Sequence, residues 1–206
     1  MDESLDRAYA SIIDALGDRS RILVAIAGPP GAGKSTLSAQ LSRRLIDGGH
    51  PAAIVPMDGF HLDNATLRER GLLHRKGAPE TFDVDGFISL ALTLRAGGAA
   101  VAVPHFDRDA DEVCEAADTI DVGCEVLLLE GNYLLLDRLP WKRLQALFDL
   151  SVFVKAPEPV LRQRLVQRWL DLGHDRQYAE RRAKENDIPN ATLVLEHSDS
   201  ADLTLS

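Results

Sequence analysis

Gly28-Pro29-Pro30-Gly31-Ala32-Gly33-Lys34-Ser35 is the stretch from which the rest of the chain can be read. It has the form G-x-x-x-x-G-K-S, a loop that turns its main-chain N–H groups onto the phosphates of a nucleoside triphosphate. Both flanks suit it: the apolar run from Ile22 to Ala27 reads as a buried strand, and Ser35 to Ile46 reads as a helix. Glycines at 28, 31 and 33 let the backbone approach a ligand closely and take φ angles closed to other residues. A helix opening at Lys34 adds unpaired N–H groups and the positive end of its dipole. Gly28, Pro29, Pro30, Gly31, Ala32 and Gly33 are thus expected to form the cradle and Lys34 to reach the β- and γ-phosphates. Ser35 is expected to bind Mg²⁺ and Thr36 to add a bond to the α-phosphate. The alternative is a Gly-rich turn capping an ordinary helix, and the strand–turn–helix context argues against it.

The 206 residues suit one large domain, or one domain with a modest insertion, and 45% hydrophobic residues are enough for a core. A net charge of −9 repels nucleic-acid phosphates and acidic membranes, so neither is an expected partner. The phosphate loop must then make a local positive field against the global charge. Cys114 and Cys124 form no metal-binding pattern and are expected to be ordinary thiols. The start, Met1-Asp2-Glu3-Ser4, is acidic and lacks the apolar run of a secretory signal, and no stretch has the length of a membrane span. A cytoplasmic protein is expected.

Strands alternate with helices along most of the chain. Residues 3–17 read as an amphipathic helix with Leu5, Tyr9, Ile12, Ile13 and Leu16 on one face. Strands are expected at 22–27, 53–57, 100–104, 126–129, 151–154 and 203–205, and helices at 35–47, 64–70, 85–95, 158–172 and 176–185. Gly71 to Glu80 is basic and irregular, a candidate substrate loop. This pattern predicts an α/β fold with a mostly parallel sheet and ligands at the carboxyl ends of its strands.

The second strand ends in Met57-Asp58-Gly59-Phe60-His61, so Asp58 emerges at the sheet edge that carries the phosphate loop. A carboxylate there can accept a proton from a substrate hydroxyl or hold Mg²⁺ through water; it can equally open a turn before Gly59, and spacing alone leaves both readings standing. The apolar strand 126–129 ends in Glu130-Gly131, an acid placed to fix Mg²⁺ through the metal's waters. Arg164 and Arg168, four apart, share a helix face and could clamp a transferring phosphoryl group, or lie on a solvated surface. Asp107, Asp109 and Asp111 have the spacing that opens an EF-hand, but Glu112 stands where glycine is needed and Asp118 replaces the bidentate glutamate, so no calcium site is expected. His50, His74, His174 and His197 take no assignable role.

Six blocks in order carry a family resemblance: the phosphate loop, 57–61, Arg75-Lys76-Gly77-Ala78-Pro79-Glu80-Thr81-Phe82-Asp83, Pro104-His105-Phe106-Asp107, Leu129-Glu130-Gly131-Asn132-Tyr133 and the arginine-bearing helix. Over roughly residues 20–206 the chain resembles the phosphoribulokinase, uridine kinase and bacterial pantothenate kinase branch of P-loop kinases, and most of all the fructose-transport-associated kinase-like group. The resemblance implies a three-layer α/β P-loop NTPase fold in a single kinase domain over 1–206. Its mostly parallel five-stranded core would have the order 2-3-1-4-5, with a substrate-binding insertion over about 60–120 and a helical lid over about 157–185. It implies that Asp58 is the base on the acceptor hydroxyl, that Glu130 sits near Mg²⁺, that Asp83 and His105 lie where relatives bind acceptor, and that Arg164 is a lid arginine. Arg168 falls where uridine kinases carry an acid, and by the resemblance alone Asn190 to Asp202 is a candidate for the loop beside the nucleotide base. The wording Asp58-Gly59-Phe60-His61 is nearer the pantothenate kinases, yet this chain is much shorter than they are.

The expected activity is transfer of the γ-phosphoryl group of ATP, with Mg²⁺, to a hydroxyl of a small metabolite, a sugar such as fructose. Lys34, Asp58 and Arg164 would be catalytic, with Arg168 beside the nucleotide. His61, Arg75, Lys76, Asp83 and His105 would meet the acceptor. A pantothenate or nucleoside kinase, or a nucleotide-dependent ATPase or GTPase switch, is the alternative. Oligomeric state is open, a homodimer included.

Overall fold

The computed structural model of the protein describes residues 2–206; Met1, where the expected domain begins, lies outside them. The core is a five-stranded sheet of β1 (Ile22–Ala27), β2 (Ala52–Pro56), β5 (Val126–Gly131), β6 (Leu150–Val154) and β7 (Leu203–Leu205), in the order β2-β5-β1-β6-β7. Every pairing is parallel. Counted along the core alone, that is the order 2-3-1-4-5 which the resemblance implies.

Alternation along the buried strands splits the interior into two layers. Leu23, Ala25, Ala27, Leu127, Leu129 and Phe153 face Phe87, Ile88, Ala91 and Leu94 of α4 (Val84–Ala96). Ile22, Val24, Ile26, Val126, Leu128 and Val152 face the other way, onto α1 (Asp2–Leu16), α2 (Lys34–Asp47) and α5 (Glu158–Asp171). A strand buried on both faces must be apolar throughout, which is why β1 and β5 read as unbroken hydrophobic runs. Each fully buried Leu or Ile contributes about 1.5–3 kcal/mol through the water-exposed surface it removes.

Register delivers the chemistry to one edge. Ile26 and Pro56 both pair with Glu130, and Ala27 pairs with Gly131. The phosphate loop, Asp58 and Glu130 therefore leave the sheet side by side. At Gly28 (φ 146°) an added Cβ would lie 2.3 Å from the Val154 carbonyl oxygen, so β1 and β6 can diverge around the loop only with glycine there.

Two segments differ from expectation. The strand expected at 100–104 does not join the sheet: β3 (Val101–Asp107) pairs antiparallel with β4 (Glu112–Ile120) as a separate hairpin. β4 reads poorly as a strand because only Ile120 is buried along it, so nothing imposes an apolar alternation. The hairpin docks backbone to backbone on the 3₁₀ turn Met57–Phe60, where a Cβ on Gly59 would lie 2.4 Å from the Pro104 carbonyl oxygen. Asn190 to Asp202, expected as a loop beside the nucleotide base, is mostly helical. α6 (Arg176–Arg182) runs through a π turn (Ala183–Asp187) into α7 (Ile188–His197), and Pro189 is the second residue of α7, directly after the π turn. α3 (Asn64–Glu69) stands where a short helix is expected, and 3₁₀ turns at Leu73–Arg75 and Pro79–Thr81 fall in the basic segment expected to be irregular. Among the described residues no helix is long and apolar enough to cross a membrane.

Candidate active site

A cavity of about 1840 Å³ opens at the carboxyl edge of the sheet. Residues 30–36 line its floor, with Asp58, His61 and Glu130 on one side and Arg164 and Arg168 of α5 on the other. Gly28 and Pro29 are buried beneath. Gly33 is the N-cap of α2 and offers no side chain, and the first turn carries no acid, so the N–H groups at this helix start are left for a ligand.

Lys34 is buried, yet its Nζ has good partners: it donates to the Pro29 carbonyl at 3.1 Å and to Asn132 Oδ1 at 2.7 Å. Burial pulls its pKa below the usual lysine value, while the carboxylates of Glu130 and Asp58 pull it back up. Ser35 Oγ donates to Glu130 Oε2 at 3.2 Å, and burial pushes the Glu130 carboxyl above its ordinary pKa. Among the described residues no group of three or more His, Cys, Asp or Glu could hold a metal. One hydroxyl and one carboxylate instead suit Mg²⁺, which takes few protein ligands and completes its shell with water and phosphate oxygens.

Asp58 opens the 3₁₀ turn after β2, and its Oδ2 accepts from Arg108 at 2.9 Å. Its charge reaches both Lys34 and Glu130. His61 lies between the rings of Phe82 and Phe106, tilted against both, at centroid distances of 4.2 and 4.4 Å. Its Nδ1 lies 2.7 Å from the Asp58 carbonyl oxygen, which can only accept, so Nδ1 carries the proton. Burial lowers the imidazole pKa, and the ring is neutral with Nε2 as an open acceptor.

The two arginines of α5 are held in place. Arg164 donates to the carbonyls of Gly31 and Ala32 at 3.0 and 3.4 Å, fastening α5 over the loop. Arg168 pairs at 3.2 Å with the buried Asp187, which also accepts from Trp169 Nε1 at 2.6 Å. The wide π turn is what points the adjacent Asn186 and Asp187 both inward.

Three expected acceptor residues lie outside the cavity. Asp83 is the N-cap of α4, accepting from Gly86 N at 3.0 Å. Arg75 pairs with Glu80 at 2.5 Å. His105 is exposed on β3, where strand alternation turns Phe106 inward instead. Lys76 does line the cavity, as a clasp: it donates to Asn64 Oδ1 and to Asp111 O and Oδ1. Asp107 Oδ1 accepts from the main chain of Asp109 and Ala110, so the acidic triplet is the hairpin turn. Sequence reading missed Asn132 and Arg108. Asn132 had a usable signal, since it follows Glu130 by two positions at the strand end that delivers ligands.

The chain is similar to several known proteins. Residues 24–187 match a family model described as an AAA domain. Uncharacterized protein YggC of Escherichia coli is 36% identical over 93% of this chain and 80% of its own length. A candidate uridine kinase of Schizosaccharomyces pombe is 33% identical over 98% and 90%. A pantothenate kinase of Rhodopseudomonas palustris is 31% identical over 96% and 66%. Among solved structures, a candidate fructose transport system kinase of Silicibacter sp. TM1040 superposes with a TM-score of 0.93 at 45% identity, covering 98% of each chain. With a matched domain over more than half its length and relatives above 30% identity along nearly all of it, the chain belongs to the P-loop kinases of the uridine kinase and pantothenate kinase group.

Proposed function

We propose that the protein transfers the γ-phosphoryl group of ATP to a hydroxyl of a small, sugar-like metabolite in the cytoplasm. The observation that carries this reading is the shared cavity: Asp58 stands beside Lys34 and the Ser35–Glu130 pair, because register brings β1, β2 and β5 out at one edge. Main-chain N–H groups of the loop and the start of α2 bind the polyphosphate, and Lys34 neutralises its β and γ ends. Ser35 and Glu130 would hold Mg²⁺, whose charge offsets that of the phosphates. Asp58 takes the proton of the acceptor hydroxyl as the oxygen bonds to γ-phosphorus, the bond to the β-phosphate oxygen breaks and ADP leaves. Arg164 keeps α5 over the loop, and Arg168 faces the developing charge. His61 Nε2 accepts from a second acceptor hydroxyl. Fructose, named for the Silicibacter protein, is the first acceptor to assay.

A coupled ADP-release assay over sugars, nucleosides and pantothenate is the test. The expected result is release stimulated by one acceptor class, about tenfold or more over basal hydrolysis, and lost on chelating Mg²⁺. Nucleotide-dependent protein binding with no acceptor stimulation would instead fit a regulatory switch. With the true acceptor, KM should stay flat on acidification through about pH 6.5, the ordinary imidazole value, and rise only below it. The sign follows from burial: a lowered pKa keeps His61 neutral to lower pH, and protonation then turns Nε2 from acceptor into donor.

A further inference from the structure

We propose that the acceptor carries a carboxylate, and that this group pairs with Arg108 when the acceptor hydroxyl takes Arg108's place on Asp58. The inference rests on the kinase reading above and specifies its substrate class.

Lys76 looks from sequence like the natural partner of an anionic acceptor, but it is spent. An ammonium group has three donors. Those of Lys76 go to Asn64 Oδ1 at 2.8 Å, Asp111 Oδ1 at 2.8 Å and Asp111 O at 2.9 Å. Its side chain is 10% exposed and lies over the Phe106 ring. Arg75 is turned away onto Glu80. The basic run therefore ties the loop to the hairpin.

Arg108, at the hairpin turn, is different. A guanidinium has five donors. Among the described residues only one of them is used, by NH2 on Asp58 Oδ2 at 2.9 Å. Its side chain is half exposed and lines the cavity. The acceptor hydroxyl competes with Arg108 for the Asp58 carboxylate, and a guanidinium held by a single bond is free to turn to an anionic group of the acceptor. Displaced from Asp58, Arg108 loses its one ion pair among the described residues, and its field already reaches Lys34 and Glu130. A neutral polyol would leave its fork of donors to water. A carboxylate on the acceptor replaces what Asp58 gave, and its two oxygens match the guanidinium fork. Asp109 and Asp111 line the same end of the cavity. They disfavour a dianionic phosphate more than a monoanion.

The test uses four- to six-carbon sugar acids, their neutral parent sugars and the same sugars phosphorylated. Binding is measured by calorimetry with a non-hydrolysable ATP analogue, and turnover by ADP release, for wild type, Arg108→Gln and Arg108→Lys. An acid should exceed its neutral parent by about 30- to 100-fold in kcat/KM, and Arg108→Gln should shrink that ratio to about threefold or less, mainly through KM. Arg108→Lys should recover part of it, since charge returns without the fork. The proposal is overturned if no acid binds, if neutral or phosphorylated sugars are preferred, or if Arg108→Gln lowers kcat equally for acids and neutrals. That last result would assign Arg108 to the transferred phosphoryl group. An acid that binds through Arg108 without stimulating ADP release would sink the kinase reading and leave only the contact between Arg108 and a carboxylate standing. Stimulation by neutral sugars with no dependence on Arg108 would do the reverse.

Discussion

Lys34→Ala is expected to lower kcat for phosphoryl transfer by about 10³-fold, the loss typical of removing one preorganised donor from a developing charge. Lys34 is the buried cation at the phosphate end of the cavity, and its ammonium is held in advance by Pro29 O and Asn132 Oδ1. A surface lysine would have to be ordered during the reaction; this one already is. Burial works against its charge, and Glu130 and Asp58 restore it. Folding should survive the substitution, because alanine removes a buried charge and leaves the Pro29 and Asn132 acceptors near a wet cavity. Single-turnover phosphoryl transfer, read beside thermal unfolding, checks the claim. Wild-type rates in a folded Lys34→Ala protein would end the kinase mechanism.

The second large effect belongs to Asp58→Asn. Loss of a general base costs about 10²- to 10⁴-fold, and the loss here should fall on kcat. The amide is nearly isosteric, and its oxygen can still accept from Arg108, so the hairpin should stay docked. Nucleotide affinity should change by about threefold or less, because Asp58 feels the phosphate end only through space. Nucleotide titration and acceptor-dependent turnover separate the two quantities. If acceptor turnover persists near the wild-type rate, Asp58 opens a turn and does nothing more.

The parts of this fold legible in sequence are those where burial or ligand approach leaves few residues acceptable. β1 and β5 are buried on both faces, and the loop must hold glycine where Gly28 meets Val154, so each announces itself locally. β4 could not, since water faces nearly all of it and Glu, Ala and Asp cost nothing there. α7 was hidden by Pro189 and Asn190, which look like a helix break until the π turn is seen to carry the chain across. Asp83, Arg75 and His105 fall in the right blocks, but which way a side chain turns depends on a helix cap, a Glu80 partner and a strand's alternation. Arg108 was invisible for the opposite reason: it is one residue of a turn, and its importance comes from Asp58, fifty positions away in sequence.

Apart from the Lys76 clasp, the segment between Leu73 and Thr81 is gripped through its main chain. Arg182 and Asn186 reach the carbonyls of His74 and Lys76, Tyr133 Oη that of Gly77 and Trp141 Nε1 that of Pro79. A grip on carbonyls is indifferent to which side chains the segment carries. Leu73 and His74, which face the cavity, can therefore be exchanged over evolutionary time while the ribbon keeps its path. Descendants of one scaffold can in this way drift in what they recognise without first relearning how to fold.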